Sequence, residues 1–178
     1  VETSSGMIEL MVSGELVTVN MGVPDFEPGS LPFLEENRAE SYNLMVNGAV
    51  YAIGAVSMGN PHAVMLVDNI DDIDIETLGS AIERHPMFPN RVNVGFMQIL
   101  RRNEVRLRVY ERGVGETRAC GTGACAAVAI GRLLGRLDEQ VTVHLHGGDL
   151  NISWSGEGDA LLMTGPATTV FQGKINCD

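Results

Sequence analysis

Residues 121–134 read as a helix rich in Ala and Leu whose apolar residues lie almost all the way round instead of along one stripe. Such a helix has no face to give to water and belongs inside a core. The rest of the 178-residue chain must therefore cover it, and a composition of 44% hydrophobic and 20% charged residues supplies enough apolar material for one sizeable core, or one domain plus part of another.

What surrounds that helix reads as short strands. Residues 7–12 and 16–20 flank a Gly-containing loop as a hairpin. Residues 21–40 carry Gly22, Pro24, Pro28, Gly29 and Pro32 without periodicity and mark a connector. Strands at 42–46 and 49–56 flank Asn47-Gly48, a type I′ turn signal because both positions take positive φ. A strand at 63–67 precedes a second helix, capped by Asp74, running to about His85 and stopped by Pro86. Residues 92–100 and 104–111 flank Arg101-Arg-Asn103 as a further hairpin; in the second strand Val105, Leu107 and Val109 alternate with Arg106, Arg108 and Tyr110, which predicts one wet face. A loop spans 112–120. Strands at 141–146, 150–154, 160–164 and 168–171 close the chain. The expected fold class is α+β, a mixed or antiparallel sheet or barrel wrapped around one central buried helix.

Cys120 stands immediately before the glycine-rich entry to the buried helix. The first turn of a helix leaves backbone N–H groups without partners and adds positive potential, so an anion is favoured there. That position predicts a Cys120 thiol acidified below its free value of about 8.5. The same N–H groups, with Gly121 and Gly123 allowing close approach and Thr122 adding a hydroxyl, form a cradle for a substrate carboxylate. Cys125 falls within the apolar helix as a packing residue, and Cys177 reads as a mobile tail thiol. Three cysteines without metal-type spacing disfavour a secreted disulfide framework. Lys174 is the only lysine, which disfavours Schiff-base and pyridoxal chemistry.

Four strings, in order and at the right spacing, resemble the diaminopimelate epimerase family: Met58-Gly-Asn-Pro-His62, Asn90-Arg-Val-Asn-Val-Gly-Phe96, Tyr110-Glu-Arg-Gly-Val-Gly-Glu-Thr117 and Ala119-Cys-Gly-Thr-Gly-Ala-Cys125. The similarity runs through the closing Met163-Thr-Gly-Pro-Ala167 and matches the later part of the family's length. The resemblance implies an isomerase that interconverts LL- and meso-diaminopimelate, for lysine and cell-wall synthesis, with neither metal nor organic cofactor. It implies Cys120 as one of two catalytic thiols, Asn60, Asn93, Glu111 and Arg112 on the distal amino-acid end of the substrate, Gly121 and Thr122 on the reacting carboxylate, and His62 near the site.

The family's second cysteine belongs to the earlier half, and no cysteine precedes Cys120 here. The chain is therefore expected to be the C-terminal half of the enzyme, inactive alone and partnered by a missing N-terminal domain. Residues 1–22 are assigned to remnant strands of that domain, 23–164 to the C-terminal epimerase domain, and 165–178 to a segment returning toward the N-terminal domain. The resemblance leaves room for a homodimer.

Other readings stay open at this level. Gly121-Thr-Gly-Ala-Cys-Ala126 fits G-x-G-x-x-A and admits a nicotinamide-dinucleotide-binding domain, although a long loop precedes it and the neighbouring strands read as hairpins instead of βαβ crossovers. Cys120 with His62 would suit acyl transfer. A non-catalytic ligand-binding module is a third reading. Proline and hydroxyproline racemases share the Cys-Gly-Thr-Gly element, but the Glu111-Arg112 pair argues for a substrate with a second charged end. His144 and His146 form only an H-x-H pair, and residues 68–74 lack the Gly and closing Glu of a calcium loop. A formal net charge of -11 disfavours nucleic acid and anionic membranes as partners, and the absence of a long apolar run or signal-like start points to the cytoplasm.

Overall fold

The computed structural model describes residues 2–3 and 6–174 of the chain; the expected tail thiol Cys177 lies outside them. Among the described residues thirteen strands and two α-helices occur in the order β1 (Glu2–Thr3), β2 (Gly6–Met7), β3 (Leu10–Ser13), β4 (Leu16–Asn20), β5 (Tyr42–Val46), β6 (Ala49–Ser57), β7 (Pro61–Leu66), α1 (Ile75–Glu83), β8 (Asn93–Arg101), β9 (Glu104–Glu111), β10 (Gly115–Thr117), α2 (Gly121–Leu133), β11 (Gln140–Leu145), β12 (Gly148–Ser153) and β13 (Leu162–Pro166). The hairpin β5–β6 turns at Asn47 and Gly48 with φ of 51° and 83°, as that dipeptide predicts.

Eleven strands form one sheet, ordered β3-β4-β13-β12-β11-β9-β8-β7-β6-β5, with β10 paired to β9 off that path. The sheet is mixed and open, ending at β3 and β5, so the barrel alternative does not hold. Two pairs are parallel, β7 with β8 and β9 with β11. Each pair is joined through a helix, α1 in the first case and α2 in the second. The expectation of hairpins alone around α2 is thus corrected: β9, α2 and β11 make a crossover, which pattern reading misses because β10 interrupts it.

Every residue of α2 from Gly123 to Gly131 is buried, and the helix packs on β6, β7, β8, β9 and β12. Its close approach depends on Gly54 of β6, where a Cβ would stand 2.4 Å from Ile130 Cγ2. Val105, Leu107 and Val109 of β9 face this core. A second core on the other side of β6–β8 collects Ile53, Ala63, Met65, Val94 and Phe96 with Ile75 and Ile82 of α1. On the other face of β9, expected to be wet, Glu104, Arg106 and Arg108 are half-buried, Arg108 in a bidentate pair with Glu116 at 2.7 and 2.8 Å, while Tyr110 is buried against Gly79 of α1. Residues 168–171 form no strand, and Val170 and Phe171 stand exposed. Among the described residues no helix is long and apolar enough to cross a membrane.

His144 sits between Asp149 (Nδ1 to Oδ1, 2.8 Å) and Glu104 (Nε2 to Oε1, 3.1 Å). The Asp149 hydrogen bond foremost, with help from Glu104, raises its pKa above the ordinary 6.5. A proton held more tightly in the folded state stabilises it; that contribution is complete below the unfolded pKa and is lost as pH rises through the raised folded value. Thermal unfolding of the wild-type and His144→Gln chains from about pH 5.5 to 8.5 is expected to show a gap that narrows as pH rises. A gap independent of pH would refute this.

Candidate active site

Pairing register brings the four sequence strings to one end of the sheet. The parallel register of β7 and β8 sets His62 opposite Asn93, and the antiparallel register of β8 and β9 sets Val94 opposite Tyr110, so Glu111 and Arg112 emerge beside Asn93. The β6–β7 turn carries Asn60 to the N-terminus of α2, where Asn60 Nδ2 donates to Thr122 Oγ1 at 3.4 Å.

Cys120 is the N-cap of α2, extended at φ −141° and ψ 106°, and 7% exposed. Its Sγ lies 3.7 Å from Thr122 Oγ1. Gly123 keeps this corner tight, since a Cβ would stand 3.0 Å from Val109 Cγ2 and 3.3 Å from the Cys120 sulfur, and those neighbours would have to give by a few tenths of an ångström. Burial pushes the Cys120 thiol up, and the Glu111 carboxylate adds to that; the Thr122 hydroxyl and the Gly123 N–H pull the other way without prevailing. This reverses the acidification expected from the helix terminus. The helix-end field is worth about 0.3–1 kcal/mol, whereas desolvation of a thiolate shifts a pKa by up to several units. Cys125, fully buried along the helix, is pushed up to about 12 by burial and by the neighbouring Cys120, consistent with a packing role.

His62 is buried in β7, and a hydrogen bond of 3.0 Å joins its Nε2 to Asn60 Oδ1. Burial, then the Arg112 charge, lowers its pKa to about 3, so the ring is neutral and orients the Asn60 amide. Asn93 holds the backbone with both ends of its amide, donating from Nδ2 to Pro61 O at 3.0 Å and accepting at Oδ1 from Arg112 N–H at 2.9 Å. Arg112 Nη1 donates to Asn90 O at 3.2 Å. Thr117 Oγ1 donates to Glu111 Oε1 at 2.6 Å, which orients that carboxylate. Sequence reasoning misses Thr117, because its place on β10, paired to Val109, falls inside a stretch that reads as loop.

A cleft of about 650 Å³ opens beside this cluster, walled by Val19, Asn20, Met21, Met58, Asn60 and Thr122 among others. Next to it Met163 of β13 covers Gly121, its sulfur 3.0 Å from where a Cβ would be. Of the candidate residues Asn60 and Thr122 line this cleft, and Cys120 lies behind them through its contact with Thr122. The dinucleotide fingerprint is not met structurally: β9 ends at Glu111, and β10 turns back before α2 begins at Gly121, so no tight turn feeds the helix from its strand.

A family model described as diaminopimelate epimerase matches residues 54–170. A diaminopimelate epimerase of Alkalilimnicola ehrlichii is 56% identical over 100% of this chain, and one of Chromobacterium violaceum is 57% identical over 98% of it. The chain spans 64% of the length of each of these relatives. Among solved structures, a probable proline racemase from Agrobacterium radiobacter K84 superposes with a TM-score of 0.68 at 16% identity, over 99% of this chain and 59% of that one. A hydroxyproline epimerase from Agrobacterium vitis does so with a TM-score of 0.63 at 18% identity, over 93% and 56%. At such identities these two show a shared fold and no more.

Proposed function

The chain belongs to the diaminopimelate epimerase family, and from that premise we propose that it supplies one side of a two-thiol site that inverts the α-carbon of diaminopimelate in lysine and cell-wall synthesis. The observation that carries the reading is the buried Cys120 thiol capping α2, with Thr122, Asn60 and Glu111 gathered around it.

In this reading the reacting carboxylate lies against the N–H groups of Gly121 and Thr122. A thiolate contributed by the N-terminal domain removes the α-proton from one face; the electron pair left on carbon is delocalised into that carboxylate, and Cys120 delivers its S–H proton to the opposite face. Inversion is then complete, the two sulfurs have exchanged protonation states, and the reverse reaction uses Cys120 as the base. A thiol at rest suits the donor role. Glu111, Asn60 and Asn93 take the distal ammonium and Arg112 the distal carboxylate, since these are the charge types that match. His62 holds Asn60 in place. No step calls on a metal or an organic cofactor.

That the open sheet wraps α2 as the central helix of the domain belongs to the same proposal, supported by the burial of α2 from Gly123 to Gly131. So does the division at residues 22 and 165. The pairing of β4 with β13, and the Ala167 N–H that donates to Glu15 O at 3.0 Å, support a C-terminal segment that returns to the first strands. A cytoplasmic location fits an intermediate of cell metabolism.

Co-expression with the preceding segment of a family member tests the reading. The chain alone is expected to leave the α-proton of diaminopimelate unexchanged in D2O, and the complemented enzyme to exchange it. Exchange at a near full-length rate by the chain alone, or none from a folded complex, would sink it.

A further inference from the structure

Glu83 ends α1 and is wholly buried, yet it belongs to none of the four strings that carry the site. Its carboxylate Oε1 accepts from the Gly113 N–H at 2.9 Å and from Arg91 Nη1 at 3.4 Å. Oε2 lies 3.2 Å from Arg84 Nε but closes no hydrogen bond. Burying a carboxylate without satisfying both oxygens is unfavourable, and the two arginines that offset its charge are themselves more than half exposed. A buried acid kept under such terms calls for a function beyond packing.

Both segments that Glu83 holds converge on one guanidinium. Gly113 follows Arg112, in a turn closed by Val114 N–H donating to Glu111 O at 3.0 Å. Arg91 follows Asn90, whose carbonyl accepts from Arg112 Nη1 at 3.2 Å. Arg91 has a φ of 60°, a left-handed conformation that a non-glycine residue keeps only where its surroundings over-determine it. The N–H of Arg112 is held from β8 by Asn93, and the next N–H from α1 by Glu83. Two neighbouring backbone donors are thus fixed by side chains from different elements, while the carbonyl that seats the guanidinium is fixed through Arg91.

We propose that Glu83 is a positioning residue that ties the Asn90-Arg91 and Arg112-Gly113 segments together and so aims Arg112 at a substrate carboxylate. The inference rests on the function proposed above. Glu83 touches no substrate and acts through Arg112 alone, so its loss weakens binding of the distal end and leaves the proton transfer intact.

The test is steady-state kinetics of the complemented enzyme with Glu83→Asp, Arg112→Ala and the double variant. Shortening the side chain by one methylene withdraws the carboxylate from Gly113. Glu83→Asp is expected to raise KM for diaminopimelate about tenfold with kcat within about twofold, the pattern of lost uniform binding. In the Arg112→Ala background it should add less than about twofold, since both changes remove one interaction. If Arg112→Ala raises KM and Glu83→Asp does not, or if its effect falls on kcat or persists undiminished in that background, the inference is overturned. If Arg112→Ala itself leaves KM unchanged, the functional reading has failed instead. Should Glu83→Asp not fold, the exposed Arg91→Ala reads the same link from outside: KM rises about threefold and does so only when Arg112 is present. An unchanged KM there overturns the inference as well.

Discussion

Cys120→Ala in the complemented enzyme is expected to slow the interconversion of LL- and meso-diaminopimelate by about 10²- to 10⁴-fold, the usual worth of a positioned acid or base, while substrate affinity changes only a few-fold. Removing the thiol takes away the proton on one face of the α-carbon. It leaves the Gly121 and Thr122 N–H groups, Asn60, Glu111 and Arg112 in place. The helix terminus survives because Cys120 closes no side-chain cap hydrogen bond that alanine would forfeit. Cys120→Ser should be nearly as slow, since a hydroxyl is a far weaker acid than a thiol even when raised by burial and by Glu111. Optical assay of both epimers, alongside calorimetric binding, checks the prediction. Turnover within tenfold of wild type would remove Cys120 from the mechanism.

The second large effect concerns the seat of α2. Ile130→Ala is expected to destabilise the chain by about 2–5 kcal/mol, because a fully buried side chain leaves a cavity that the sheet cannot collapse into. Gly54→Ala should cost about 1–3 kcal/mol by the opposite fault, its new Cβ falling on Ile130. The two faults occupy the same space, so the double variant is expected to be less destabilised than the sum of the two. Urea unfolding of the four chains measures the cycle. Additivity to within about 0.5 kcal/mol would show that Gly54 and Ile130 do not meet as described.

Features set by nearest neighbours along the chain are legible in the amino-acid sequence. The helix from Gly121, the Asn47-Gly48 turn and the Asp74 cap, whose carboxylate accepts from Thr77 N–H at 3.1 Å, each depend on a few consecutive residues. Strand order is not legible there. The parallel pairs β7–β8 and β9–β11 are decided by which faces α1 and α2 cover, and residues 168–171 have strand-like chemistry but pair with nothing in the sheet. The site divides the same way. Residue types point to Cys120, Glu111 and Arg112, yet the direction of the Cys120 pKa depends on burial and on Glu111, which only the folded chain brings together. Glu83 stays hidden because it belongs to no pattern, and Thr117 because its string gives it no role; each matters through a hydrogen bond that only the fold makes.

The place of β4 in the sheet bears on how the protein is made. Its inner neighbour is β13, and the Thr18 and Thr164 hydroxyls that meet across that seam at 2.8 Å are 146 residues apart. At ribosomal speed the β3–β4 hairpin therefore waits on the order of ten seconds for the strand it docks against. During that interval it displays Leu10, Met11, Val12 and Leu16, which remain exposed even in the finished sheet. Expressed without a preceding domain, the chain keeps that apolar ribbon unshielded, and its yield should depend on how well the ribbon is covered until the last strand emerges.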